Sequence, residues 1–543
     1  MQGGLRIPAA IGDELHLTDS TATHPRLSAL NRLHRQTLDR LKPPCQLHCG
    51  SDSMQMLVYL SIKSSAGMIM KFQLFAAAAV AGLASAPAAA QSADSCARLA
   101  AVVLPGATVT SSAVVTTGQV VVAPVMAPAD LCRVTVTAKP TSDSDIRIEV
   151  WLPIKNNGKF LQVGNGGFAG QIPARTMLLG AMGGYIVAGT DDGHQSADGT
   201  DASWALGHPE KLVDFGTRAV KTTTDVGKAI AAAFLQKAPR KAYFFGCSDG
   251  GREALMTAQR HPTDFDGIVA GAPAYDWTGL QASAALIEQH MALPGARIPV
   301  AKLPAIQAAA LKACGGGLFV DDQKACRFDP AVLACNGGDT SFCLTKPEMA
   351  TLEMIYRGTK DPATGRKLPG LMPGGEAQPG SWGNWLLGRN SGAGATDKPT
   401  GFAANWFAYA VRGDVATTVA GLTRADFVAS EKLAPLVSAT SPDLSAFRAH
   451  GGKLIMYHGW NDPAISPGYS LAYHSAVKKK LGEPSDFLRL WLVPGMLHCG
   501  GGAVPTTVDW AGTLAGWVEE GRAPEVIIAR GATGAPRMIA REK

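Results

Sequence analysis

Seven residues, Gly246-Cys247-Ser248-Asp249-Gly250-Gly251-Arg252, constrain this chain more than any other stretch. They follow an apolar run, Ala242-Tyr243-Phe244-Phe245, and precede a helix-like run over residues 253–260. A strand that turns sharply into a helix needs small residues at the bend. Gly246 and Gly250 let the backbone reverse and leave the Ser248 hydroxyl exposed at the top of a sheet. A bare Gly-x-Ser-x-Gly match is a common accident, and the flanking strand and helix are what make it informative. A serine so placed becomes a nucleophile only if the rest of the chain supplies three things. These are a base, a carboxylate that orients the base, and donors for a developing oxyanion.

The surrounding text predicts the frame for such a site. Residues 91–150 are rich in Val and Thr with alternating polarity, as in Val134-Thr135-Val136 and Ile146-Arg147-Ile148, which indicates strands with short turns. Phe160-Leu161-Gln162-Val163 and Tyr185-Ile186-Val187-Ala188 are further strands. An amphipathic helix over residues 225–236 leads into the elbow strand, and Gly267-Ile268-Val269-Ala270-Gly271 follows it. Strands alternating with helices mean βαβ units and a mostly parallel sheet. After Pro273 this alternation stops. Residues 276–440 hold four cysteines, long polar loops and an aromatic cluster of Trp382, Trp385, Phe402, Trp406, Phe407 and Tyr409. The alternation resumes at residues 453–457, 487–493, a helix over 508–519, and 525–529. The expectation is therefore an α/β core built from residues 91–275 and 441–543, split by an inserted lid over 276–440. Trp382, Trp385, Trp406, Phe407 and Tyr409 either fill the lid's own core or grip an aromatic substrate, and Arg389 and Arg412 near them either meet a free carboxylate or face solvent.

The base and the acid are sought at the ends of the later strands. In α/β-hydrolases the chain order is Ser, then Asp or Glu, then His. Strand 453–457 runs into His458-Gly459-Trp460-Asn461-Asp462-Pro463, and strand 487–493 into Pro494-Gly495-Met496-Leu497-His498-Cys499. Asp462 and His498 occupy the expected places of acid and base, and His458, at a strand end, reads as packing. His194, in the loop Thr190-Asp191-Asp192-Gly193-His194, reads as structural or pocket-lining rather than catalytic. Oxyanion donors are expected from the backbone N–H of Asp249 and from Gly166 or Gly167 in the turn Gly164-Asn165-Gly166-Gly167, where missing side chains allow close approach.

Charge and cysteines narrow the class. Of the net charge of +6, residues 1–90 contribute +3, from eight Lys/Arg against five Asp/Glu. A weakly charged body of this size argues against an electrostatic nucleic-acid binder. Met68-Ile69-Met70-Lys71, the apolar run 74–84 and Ala88-Ala89-Ala90 read as a signal peptide over residues 68–90. Residues 1–67 then read as an extension of the gene model. The apolar run is too short to span a membrane, so export to the periplasm or the medium is expected. Eight cysteines follow the signal, an even count that reads as disulfides. Proximity in sequence favours Cys314–Cys326, Cys335–Cys343 and Cys96–Cys132. Cys247 precedes Ser248 and Cys499 follows His498, so contact between serine and histidine brings these two together as well.

Four motifs now stand in order: Gly246-Cys247-Ser248-Asp249-Gly250-Gly251-Arg252, residues 265–273 (FDGIVAGAP), residues 457–463 (YHGWNDP) and residues 493–502 (VPGMLHCGGG). Together they resemble the tannase/feruloyl esterase family, which includes mono(hydroxyethyl) terephthalate hydrolases, over about residues 96–528. The resemblance implies an α/β-hydrolase core with a large lid, Ser248 as nucleophile, His498 as base, Asp462 as its orienter and a Cys247–Cys499 bond. It implies hydrolysis of small esters of aromatic acids, of gallate, hydroxycinnamate or phthalate type; two-step acyl transfer through Ser248 and His498 needs no cofactor. The competing readings are another acyl hydrolase, peptidase or lipase, and a non-catalytic binder of the same fold. The family's lid usually binds calcium in an Asp-rich loop between bonded cysteines. Here the interval between Cys314 and Cys326 is short and glycine-rich and keeps only Asp321 and Asp322, so calcium is expected to be lost or weak.

Overall fold

A computed structural model describes residues 94–337, 340–387, 401–531 and 534–542. The expected gene-model extension (1–67) and signal peptide (68–90) lie outside the described residues, as does Arg389. Nine strands form one sheet: β1 (Ala107–Val115), β2 (Leu131–Ala138), β3 (Ile146–Pro153), β4 (Phe160–Val163), β5 (Ile186–Thr190), β6 (Ala242–Cys247), β7 (Gly267–Gly271), β8 (Lys453–Gly459) and β9 (Leu488–Val493). Their spatial order is β1-β2-β3-β5-β4-β6-β7-β8-β9. The first four in that order pair antiparallel, and every later pair is parallel.

The central strands read as continuous apolar runs because helices cover both faces. Period-2 alternation sorts their side chains. Phe160, Phe244, Ile268, Leu454, Met456 and Leu490 enter one apolar cluster, and Leu161, Tyr243, Val269, Ile455, Tyr457 and Trp491 enter another. Helices α2 (Ala219–Leu235), α3 (Asp249–Arg260) and α5 (Pro467–Leu481) pack in the first layer. Helices α1 (Ala174–Met182) and α6 (Trp510–Glu520) pack in the second.

Residues 276–440 intervene between β7 and β8, which are nonetheless adjacent and parallel, with Lys453 opposite Gly267. This interval is mostly helical, beginning with α4 (Trp277–Met291). Part of it holds an apolar cluster of its own, including Ile306, Leu352, Ile355 and Trp382. The expectation that residues 525–529 continue the core sheet is corrected. Val526–Ala529 pairs antiparallel with Arg537–Ala540 in a separate hairpin, and Ile527 and Ile539 bury beside Trp517 of α6. An apolar alternation shows that one face is buried, not which strand it pairs with.

The parallel arrangement brings the carboxyl ends of β4, β6, β7, β8 and β9 to one edge of the sheet. In open α/β sheets that edge is where ligands bind.

Candidate active site

β6 ends at Cys247, and the chain turns through Ser248 with φ 66° and ψ −121° before α3 starts at Asp249. A left-handed φ is uncommon for serine and marks the strained turn of an elbow. Three contacts hold it: Ser248 N–H donates to Gly271 O at 3.0 Å, and Ser248 O accepts from Ala274 N–H and Arg252 N–H at 3.0 and 3.1 Å. The glycines are required by close approach. A Cβ on Gly246 would lie 2.1 Å from Gly250 O, and one on Gly251 would lie 2.3 Å from Gly271 O.

β8 delivers Asp462 and β9 delivers His498 to the same edge. His498 Nε2 lies 2.9 Å from Ser248 Oγ, and His498 Nδ1 lies 2.8 Å from Asp462 Oδ2. Asp462 is fully buried, and its Oδ1 accepts the N–H groups of Ala464 and Ile465 at 2.8 and 2.9 Å. Burial alone would raise this carboxyl. The adjacent His498 charge and the hydrogen bonds from His458 and His498 outweigh it and hold Asp462 below the usual carboxylate range. His458 does more than pack. Its Nε2 lies 3.2 Å from Asp462 Oδ2 and 2.9 Å from Ile465 O, and its Nδ1 lies 2.8 Å from Ser470 Oγ. It therefore braces the acid's loop from below.

Cys247 is bonded to Cys499, and the other bonds are Cys96–Cys132, Cys314–Cys326 and Cys335–Cys343. His194 stacks on Trp204 with ring centroids 3.9 Å apart and reaches Phe168 O at 2.7 Å, a structural position.

The turn after β4 faces the elbow. Gly167 adopts φ +63°, and a Cβ there would lie 2.3 Å from Gly199 O, so only glycine fits. Gly166 has open space around its Cα. The amides of Asp249, Gly166 and Gly167 donate to no backbone carbonyl among the described residues. Gly167, Ser248 and Asp249 line a common cleft. Asn165, not singled out by the sequence, ties this turn to α3: its O accepts Gly250 N–H at 2.9 Å and its N–H donates to Glu253 Oε2 at 3.1 Å. The arginine of the elbow motif is fully buried. Arg252 Nε donates to Asp249 Oδ1 at 2.6 Å, and its Nη1 and Nη2 donate to Gly216 O and Phe215 O at 3.0 Å each.

The cleft over Ser248 is largely apolar. One wall is α4, whose residues Trp277, Gln281, Ala284, Glu288 and Met291 fall on one face at helical spacing. Trp385, Leu386 and Phe402 form a second wall, and Pro463, Ala464 and Ile465 a third. Trp385 sits edge-on to His498, ring centroids 4.9 Å apart, and stacks on Phe402 at 6.1 Å. The α4 wall was not singled out by the sequence; the 3–4 spacing in residues 277–291 is the signal that could have revealed it.

Of the two roles left open for the other aromatics, Trp382, Trp406, Phe407 and Tyr409 take the packing one. Trp382 packs on Tyr356 inside the cluster of residues 276–440, with ring centroids 5.5 Å apart. Trp406 stacks on Phe168 at 6.5 Å and donates its Nε1–H to Ser430 Oγ at 2.8 Å. Phe407 is buried against Phe427 at 5.2 Å, and Tyr409 packs half-buried on the main core. None of the four is among the cleft residues, because the helical turn Trp406–Arg412 packs three of these rings inward and Trp382 is buried in the cluster around Tyr356. Arg412 is occupied by both oxygens of Asp426, at 2.6 and 2.7 Å.

Asp321 and Asp322 are exposed, and Asp322 Oδ1 accepts the N–H groups of Lys324 and Ala325 at 3.0 Å each. No third acidic side chain joins them among the described residues. That set does not fit calcium, which takes six to eight oxygens.

The family model for tannase and feruloyl esterase matches residues 132–542. An uncharacterized esterase of Xanthomonas campestris pv. campestris is 39% identical over 484 residues, covering 80% of this chain and 84% of the relative. The mono(2-hydroxyethyl) terephthalate hydrolase of Piscinibacter sakaiensis is 32% identical over 458 residues, covering 71% of this chain and 75% of that one. Among solved structures, feruloyl esterase B from Aspergillus oryzae superposes with a TM-score of 0.76 at 26% identity, covering 83% of this chain and 95% of that one. An elbow serine at the carboxyl edge of an α/β-hydrolase sheet and a family match over most of the chain agree: this chain belongs to the tannase and feruloyl esterase family and is a carboxylic ester hydrolase.

Proposed function

We propose that this chain is an exported serine esterase that hydrolyses carboxylic esters of aromatic acids through an acyl-enzyme. The observation that carries the reading is the unbroken hydrogen-bonded chain Ser248–His498–Asp462 opening into a cleft walled by Trp277, Trp385 and Phe402. With Nδ1–H donated to the ionised Asp462, His498 keeps Nε2 free to accept the serine proton. Ser248 Oγ attacks the ester carbonyl as that proton leaves. The oxyanion is held by the N–H of Asp249 and of Gly167, at about 3 kcal/mol per donor. His498 then protonates the leaving alcohol, and water repeats the sequence on the acyl-serine.

Flat aromatic walls favour a flat acyl group, which stacks there at low entropic cost. The chemistry draws on protein groups alone. Calcium is lost or weak at the Cys314–Cys326 loop, and elemental analysis of the purified protein tests this: stoichiometric tightly held calcium refutes it. Four disulfides support maturation in an oxidising compartment. No helix among the described residues is long and apolar enough to cross a membrane.

The test is a side-by-side panel of methyl gallate, methyl ferulate, a terephthalate monoester and an aliphatic methyl ester. At least one aromatic ester should exceed the aliphatic one in kcat/KM, and Ser248→Ala should abolish turnover while keeping the fold. Turnover by the Ser248→Ala variant, or preference for the aliphatic ester, overturns the reading.

A further inference from the structure

Behind the elbow lie three buried carboxyls and one buried guanidinium. Asp192 and Arg252 are 0% exposed, and Asp249 and Glu253 are 1% exposed. Oxygens of Asp192, Asp249 and Glu253 fall within 4.8 Å of one another. Arg252 answers one of them, through Asp249 Oδ1. Glu253 Oε2 takes the Asn165 N–H. Glu253 Oε1, Asp249 Oδ2 and both oxygens of Asp192 find no hydrogen-bond donor. Full ionisation would place three negative charges against one positive charge in a dry site. Burying unpaired charge is far more costly than burying a neutral, bonded acid. One proton placed between two of these carboxyls halves the excess negative charge and satisfies two orphaned oxygens at once.

We propose that Asp192 is a neutral carboxylic acid donating its O–H to Glu253, and that this acid–carboxylate pair is the positioning device of the oxyanion hole. Glu253 is the link. It accepts the Asp192 O–H on one side and the Asn165 N–H on the other, and Asn165 is two residues before Gly167. The fit is tight, since a Cβ on Gly164 would lie 2.6 Å from Glu253 Oε2. The second donor is gripped from the same cluster, because Arg252 holds the side chain of Asp249, which also lines the cleft. Asn165 Nδ2 also donates to Thr190 O at 2.6 Å, and Thr190 Oγ1 accepts Asp192 N–H at 3.2 Å, closing a ring between the two loops. The charged groups facing Asp192 are Glu253, Asp249 and Arg252, all on α3. Burial first, then the neighbouring Glu253 charge, push the Asp192 carboxyl well above its ordinary value. An O–H donated to a carboxylate is among the stronger hydrogen bonds available to a protein.

This role rests on the assignment of Ser248 and its oxyanion donors given above, and the experiment separates the two. The first readout is a difference infrared spectrum at pH 7 between the wild-type protein and Asp192→Asn. A protonated-carboxyl C=O band present in the wild type and absent in the variant is expected, whatever the chain hydrolyses. The second is kinetics on p-nitrophenyl acetate with Ser248 counted by fluorophosphonate titration. Asp192→Ala should lower kcat roughly ten- to a hundredfold with KM within about twofold, as displaced catalytic groups do. Asp192→Asn, whose amide N–H donates to Glu253 in place of the acid, should stay within about threefold of wild type. Should the alanine variant not fold, the infrared band and the asparagine variant still decide. Absence of the band, equal loss in both variants, or a divalent metal bound stoichiometrically in the wild type and lost in Asp192→Asn overturns the proposal. Failure of Ser248 to label would instead refute the serine assignment and leave the infrared result standing.

Discussion

Cys247 and Cys499 hold their α-carbons 5.9 Å apart, and each is the immediate chain neighbour of one partner in the Ser248–His498 contact. The bond joins loops 252 residues apart in sequence. In the chain-entropy model, which is disputed, such a closure contributes about 5 kcal/mol. The larger consequence concerns geometry, because the staple sits one residue from both Ser248 and His498. The Cys247→Ala/Cys499→Ala double variant should lose kcat roughly ten- to a hundredfold, a larger proportionate loss than its fall in thermal stability. Steady-state kinetics beside a melting curve check this, and an unchanged kcat would remove the positional role.

Gly167 has two independent reasons to be glycine, its φ of +63° and the 2.3 Å approach of Gly199 O to any Cβ. Gly167→Ala must shift the turn and with it the amide proposed as an oxyanion donor. Loss of one oxyanion donor costs about a hundred- to a thousandfold in kcat. Gly166→Ala, with open space around it, should cost far less. Comparable losses in both variants would argue against Gly167 as the donor.

Glu288 lines the cleft and is paired with Arg297. Its charge opposes a substrate that carries a second, free carboxylate. Glu288→Ala should raise kcat/KM for a terephthalate monoester relative to methyl ferulate, as Arg297 becomes available to the substrate. Removing a partly screened repulsion of about 1.4 kcal/mol corresponds to about tenfold. An unchanged ratio would mean that the acyl group does not reach Glu288.

Two buried acids set part of the stability profile. Burial pushes Asp191 up to about 6 against hydrogen bonds from Gln195, Gly193 and Arg147, and pushes Asp276 up to about 6 against the charge of Arg366. In the unfolded chain both titrate near about 4. Between those values the folded protein binds more protons, so the unfolding free energy falls as pH rises. Their contribution is complete below about pH 4 and gone once pH passes about 6. Asp462, held low, acts in the opposite sense: its contribution is present above about pH 4 and is lost as pH falls further. The melting temperature should therefore be higher at about pH 5 than at about pH 7.5, and Asp191→Asn should narrow that difference. A melting temperature that rises steadily to pH 7.5 contradicts this.

Much of the frame and of the candidate site was legible in the linear chain. The elbow is a local device: glycines at 246, 250 and 251, a strand before and a helix after them, all between Ala242 and Arg260. Asp462 and His498 were legible because parallel strands put their carboxyl ends at one edge, so strand ends far apart in sequence become neighbours. The cysteine pairs followed from the same adjacency and from short spacing. These inferences need only backbone geometry and strand order, both of which local patterns encode.

Side-chain direction across packed elements was not legible. Trp385 and Trp406 look alike in the chain, yet one ring meets His498 and the other meets Phe168 and Ser430. Asp192, Asn165 and Glu253 come from three separate segments, and none carries a motif that announces the others. His458 bracing Asp462, and the hairpin of Val526–Ala529 with Arg537–Ala540, depend likewise on which surfaces are already covered when the element docks. The sequence by itself determined the class of chemistry and the three strand ends that meet at one edge, because those rest on local turns and on the handed, parallel sheet. The tertiary structure alone decided the walls of the cleft and the buried acid cluster behind the serine, because burial and pairing there come from the simultaneous packing of segments distant in the chain.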